Sequence, residues 1–135
     1  MDVWREKAAE VLPELLEEIT TAESPMNFWM EISLRLEDSY SLGTPNDDLI
    51  ARIYKFAFWC LNQPQTNSPE TDPSSAVAVS FIENIPLHPR TAEDAHRWLT
   101  IDDFEGFESL FRYHLEDDQY AKFRADFFTR KNKFG

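Results

Sequence analysis

The side chains that could carry acid–base or metal chemistry are few. The chain has three histidines, at 88, 96 and 114, and one cysteine, at 60. Chemistry is densest in SSAVAVSFIENIPLHPRTAEDAHRW, residues 74–98. Glu83 interrupts an apolar run there, His88 stands between two prolines, and His96 follows Glu93 and Asp94. A carboxylate–imidazole–carboxylate set could hold a metal ion or move a proton. None of the histidines makes an HxxxH, HExxH or HxH pattern, however. His88 reads as a solvated loop residue. His96 reads as a histidine near acids on an acidic protein. His114, on the helical face of Phe107, Leu110 and Phe111, reads as a core-edge residue. An enzyme or metal site on Glu83, His88 and His96 is the minor expectation, and the chain is read as non-enzymatic, with no cofactor.

Glu83 matters for a second reason. It falls on the narrow polar strip of the most apolar stretch. If neighbouring helices cover that strip, Glu83 needs a partner such as Arg90, Arg97 or Arg112, because a lone buried charge is very costly. Cys60 lies on the apolar arc of its own helix, which argues against a nucleophilic thiolate. Glu116, Asp117 and Asp118 lack the alternation and glycine turn of a calcium loop, and read as the cap of the last helix. Trp59 shares a helix side with Arg52 and Lys55. An aromatic ring beside cations there can form a cation–π contact or anchor a protein partner. Trp98 and Trp4 carry the same ambiguity between packing and recognition.

The elements that must position these residues read as helices throughout. Trp4, Ala8, Val11, Leu12, Leu15 and Ile19 share one face of the first segment, where Pro13 either kinks the helix or opens a shorter one, PELLEEI. Pro25 precedes a helix over MNFWMEISLRLED, and YSLGTPN is a loop. Asn46 is the expected N-cap of NDDLIARIYKFAFWCLN, with Asp47 and Asp48 in its first turn. The polar, proline-containing loop at about 63–73 breaks the chain near its middle. The apolar arc of AVAVSFIENI, with Val79 inside it, predicts one continuous central helix stopped by Pro86 and Pro89. Thr91 and Asp94 have capping-box spacing. Thr100 caps TIDDFEGFESLFRYHL. Tyr120, Phe123 and Phe127 align on a final helix that ends in the basic tail RKNKFG.

Composition sets the frame. The chain has 135 residues, 14% of them aromatic, including eleven Phe and four Trp. That suits a single domain with a sizeable core. Three glycines, at 43, 106 and 135, are too few for a turn-rich β-sandwich or a phosphate-cradling loop. The expectation is an all-α single domain over 1–135, of about six or seven helices packed in antiparallel pairs, with a solenoid-like curve as one form of it. Net charge is −12. Residues 1–62 carry a net −7 and residues 63–135 a net −5. Such acidity keeps a protein soluble and disfavours nucleic acid and anionic membranes as partners. The single cysteine fits a reducing cytoplasm. MDVWREKAAE does not read as a signal peptide, and no run approaches the ~20 apolar residues of a membrane span.

The succession PELLEEI, NFWMEISLRLED, DDLIARIYKFAFWCLN, AVAVSFIENIP and DFEGFESLFRYHL resembles a group of small bacterial helical proteins filed as a domain of unknown function. The resemblance covers residues 13 to 115. It rests on aromatic and aliphatic helix faces plus Glu83 in FIEN. It implies a bacterial cytoplasm and an all-α fold, and assigns no catalytic residue. By size and charge such proteins look like immunity proteins that neutralise toxins. The functional expectation is therefore an acidic protein–protein interaction module, in one form an immunity-like inhibitor of a basic toxin. A homo-oligomeric structural protein is the alternative. Candidate contact residues are Trp59, Arg52, Lys55, Glu83, His88, His96 and Trp98.

Overall fold

The computed structural model describes residues 2–43, 45–66 and 68–134. Met1, Thr44, Asn67 and Gly135 belong to the predicted N-terminal stretch, the two loops and the basic tail, and lie outside the described residues. The fold is all-α. Nine α-helices and three 3-10 turns, and no strand, occur among the described residues. The chain divides into two compact units, Met1–Phe81 and Ile82–Gly135.

The first unit holds five helices. α1 spans Val3–Val11, and Pro13 opens a 3-10 turn, Pro13–Leu15, that runs into α2, Leu16–Thr21. Proline has no N–H to donate, so it starts the second piece instead of continuing the first. Arg5 ties the two pieces together: its guanidinium donates to the carbonyls of Ile19 and Ala22, at the C-terminal end of α2. A cation there complements the negative end of the helix dipole.

α3 spans Pro25–Ser41, with Ser24 as N-cap accepting from the Asn27 N–H at 3.1 Å. It runs further than the sequence pattern indicates, because Tyr40 is a buried extension of the Phe28–Ile32–Leu36 stripe. Gly43 follows at φ +86°, a left-handed position that glycine takes without strain. α4 spans Asp47–Leu61, and the predicted cap forms: Asn46 Oδ1 accepts from the Leu49 N–H at 3.1 Å.

α5 spans Pro73–Ser80 and packs against both α3 and α4. Asp72 caps it. Its Oδ1 accepts from the Ser75 N–H at 2.6 Å, while Oδ2 accepts from the N–H groups of Thr66 at 2.8 Å and Ser68 at 3.2 Å and from the Thr66 hydroxyl at 2.7 Å. One buried carboxylate thus fixes both the helix start and the loop before it. Aromatic rings join these helices. Trp29 is fully buried, with Phe56 stacked at 5.6 Å and Phe81 tilted at 5.0 Å. Each fully buried ring of this kind contributes roughly 2–3 kcal/mol relative to exposure.

The second unit starts where the predicted central helix breaks. Phe81 leaves helical geometry at φ −126°, and Ile82–Leu87 is a 3-10 turn. Pro86 lacks the N–H that would bond the Ile82 carbonyl four residues back, so a regular α-helix cannot hold this last turn. AVAVSFIENI is therefore two elements and not one continuous helix. Val79, placed on the buried arc by the pattern, is 43% exposed, whereas Ser74, Ser75 and Ser80 are buried.

α6 spans Pro89–Asp94, followed by a 3-10 turn, Ala95–Arg97. The expected Thr91 capping box does not form. The helix starts at Pro89 with His88 as the N-cap residue, so Thr91 is already inside it. The Thr100 box does form: Asp103 N–H donates to Thr100 Oγ1 at 3.0 Å, and Asp103 Oδ2 accepts from the Thr100 N–H at 2.8 Å. The helix it opens is divided at Phe107 into α7, Ile101–Gly106, and α8, Glu108–Arg112. Gly106 weakens the helix just before the break. α9, Asp117–Phe134, carries the tail into helix. Phe104 is the centre of this unit, with Phe127 stacked at 4.2 Å and Phe111 and Phe123 at 5.1 and 5.3 Å. The nine helices exceed the expected six or seven partly because these segments break at Phe81 and Phe107.

Candidate functional site

The residues singled out by sequence go to different places. Glu83 is 7% exposed and pairs with His114, whose Nε2 lies 3.1 Å from Oε1. Its partner is thus a histidine and not one of the three arginines that the sequence suggests. Arg112 reaches Asp117 at 2.8 Å and Arg97 reaches Asp94 at 3.1 Å. Burial raises the Glu83 carboxyl above its ordinary value, and the charge and hydrogen bond of His114 pull the other way. Nothing local in the sequence points to this pair, since its members stand 31 positions apart.

His88 Nδ1 lies 3.3 Å from the Thr91 hydroxyl, and His96 Nδ1 lies 2.9 Å from the Glu93 carbonyl. The His96 ring also packs on Phe134 at 5.7 Å. Glu83, His88 and His96 thus each have a different hydrogen-bond partner. Among the described residues no three His, Cys, Asp or Glu side chains are grouped to hold a metal ion. Trp98 donates its Nε1–H to Asp94 at 2.9 Å and lies under the Arg97 guanidinium at 4.8 Å. In the first unit, burial pushes the Cys60 thiol up to about 12, against a smaller opposing effect of a hydrogen bond with Trp29. A thiol so protonated at neutral pH is a weak nucleophile.

Arg52 is committed to the fold. Its guanidinium forks onto both oxygens of Glu14, reaches Asp48 at 2.8 Å and donates to the Val11 carbonyl at 3.0 Å. This ties α4 to the Pro13 turn and holds the Glu14 carboxyl down at about 2, chiefly through the Arg52 hydrogen bond. A planar guanidinium suits this bidentate geometry. Arg52 is therefore turned to carboxylates and not to the Trp59 ring. Lys55 is exposed on the same helix.

Trp59 is half-buried, stacked on Phe56 at 5.7 Å. It lines a surface cleft of about 680 Å³ formed by the start of α1, the turn before α3, the end of α4 and the loop before α5. Val3, Trp4, Pro25, Pro64 and Pro73 supply the other apolar walls, and Asp2, Glu23, Glu70 and Asp72 add carboxylates. Arg5, the one cation lining it among the described residues, lies over Trp4 at 4.6 Å and is held by the α2 carbonyls. The hydroxyls of Thr66 and Ser24 are also committed, to Asp72 and to the α3 cap. Among the described residues no histidine, cysteine or lysine lines the cleft. The cleft sets aromatic and proline walls beside negative charge. Sequence pattern singled out Trp59, but not the loop that completes the cleft.

No helix among the described residues is long and apolar enough to cross a membrane. No family model matches the chain, and neither a curated protein nor a solved structure matches it.

Proposed function

We propose that this chain is a non-enzymatic protein-binding module that takes a basic partner through its first unit. The observation that carries this reading is the Trp59 cleft, where aromatic and proline walls stand beside Asp2, Glu23 and Glu70 and the lining cation is already engaged. Charge supports it. Met1–Phe81 holds fourteen acidic and five basic side chains, a net −9, whereas Ile82–Gly135 holds eleven and eight, a net −3. Four of the five cations in the first unit, Arg5, Lys7, Arg35 and Arg52, already contact carboxylates of their own unit. The resulting field steers a basic surface toward this unit, and a desolvated aromatic anchor then slows dissociation.

An immunity-like inhibitor of a basic toxin domain, acting in a bacterial cytoplasm, is the specific form of this reading. The reading also takes the helices as packed in antiparallel pairs. The test is covalent capture of partners in the native cell, followed by titration of the purified partner at about 50 mM and about 500 mM salt. The expected partner is basic, and its affinity falls by at least about tenfold at the higher salt. Capture of acidic or neutral proteins only, or an affinity unmoved by salt, would refute the proposal.

A further inference from the structure

We infer that the groove between α2 and α3 is a docking site for a basic amphipathic helix of a partner protein; this rests on the protein-binding reading above. The groove has a volume of about 610 Å³. One side is apolar: Met30 and Leu34, four residues apart on α3, are 52% and 57% exposed. Residues at that spacing form one ridge of a helix surface, the shape against which a second helix packs. Four carboxylates line the same groove, Glu17, Glu18, Glu23 and Glu31, against one cation, Arg35.

Arg35 does not satisfy this charge. It bonds Glu18 Oε1 and lies 3.5 Å from Glu31, and is itself 51% exposed. The second oxygen of Glu18, Oε2, is buried and has no hydrogen-bond partner among the described residues. Arg35 thus donates to only one of the two Glu18 oxygens, and the exposed carboxylates beside it leave negative charge that an incoming guanidinium or ammonium would offset. An occupant must therefore offer two things together: cations for Glu17, Glu18, Glu23 and Glu31, and apolar side chains to cover Met30 and Leu34. A helix with leucines at one edge and arginines beside them offers both.

The probe is a synthetic helix-favouring peptide of about fifteen residues carrying arginines beside an i, i+4 leucine pair, with a control in which glutamate replaces arginine. Binding is read by fluorescence anisotropy against the full chain. The arginine peptide should bind and the glutamate peptide should not. Met30→Asp with Leu34→Asp, and separately Glu18→Gln, should each weaken binding by at least about tenfold. These are surface or conservative changes, and circular dichroism checks that the helices persist. Equal binding to all variants would overturn the groove assignment while leaving the protein-binding reading in place. No binding by the arginine peptide would also overturn it, and the partner titration would then judge that reading separately. A concentration-dependent mass of the chain alone, abolished by the Met30 and Leu34 substitutions, would assign the groove to a second copy and overturn it as well.

Discussion

Replacing Asp72 by alanine should destabilise the first unit more than any other single change of a polar side chain there. The carboxylate is 3% exposed and accepts from Ser75, Thr66 and Ser68. Burial by itself would raise its carboxyl, but these hydrogen bonds together hold it well below the usual value of 3.8. Losing an N-cap costs about 1 kcal/mol. That figure covers the Ser75 N–H bond; releasing the loop donors of Thr66 and Ser68 adds about 1–2 kcal/mol. The expected loss is about 2–3 kcal/mol. Asp72→Asn keeps an oxygen for Ser75 and should lose about half of that.

Urea unfolding followed by tryptophan emission is a suitable assay, because Trp4, Trp29 and Trp59 all lie in the first unit. The pH dependence has a definite sign. A depressed carboxyl stabilises fully above its unfolded value of 3.8, and that contribution is lost as pH falls toward the folded value. The acid limb of the stability curve should therefore be steeper for the wild type than for the Asn variant. A loss under about 0.5 kcal/mol for Asp72→Ala would refute the capping argument. So would identical acid limbs.

Two further predictions concern titrating groups. Glu83 has the opposite sign to Asp72: burial raises its carboxyl, so the stability it confers is complete below 4.5 and is lost as pH rises through the folded value. In a His114→Asn background, where burial acts without the imidazole, stability relative to Glu83→Gln should fall between acid and neutral pH; a rise over that range would contradict the buried placement. Glu14 should titrate near 2 by carbon NMR and return toward 4.5 in Arg52→Ala, whereas an unchanged titration would mean the fork is not formed in solution. Glu14 is exposed, so its stability change is small and screened by salt.

The sequence made the long helices of the first unit legible because each carries a strong local signal. Asn46 before two aspartates, and Pro25 before an apolar stripe, state a helix start within a few residues. The Thr100–Asp103 box is local in the same sense. Breaks were harder to see. AVAVSFIENI has an unbroken apolar arc, yet Pro86 acts four residues back, on the Ile82 carbonyl, and the arc does not register that. Phe107 sits in a stripe that continues through Phe111, so periodicity passes over the break. The candidate site was legible only in part. Trp59 is conspicuous as an aromatic off the apolar arc. Its cleft depends on Asp72 ordering a loop, and the Glu83–His114 pair depends on a contact 31 residues apart, for which one sequence holds no local signal. Arg52 illustrates the limit well. Helical spacing placed it near Trp59, but the stronger electrostatic partner, Glu14, comes from another element.

The central claim is that the first unit is the recognition surface. Hydrogen–deuterium exchange of the full chain, alone and saturated with its captured partner, tests it most directly. The account predicts new protection in residues 17–35 and 59–73, around the two grooves, with residues 82–134 unchanged. Protection confined to residues 82–134 would contradict it.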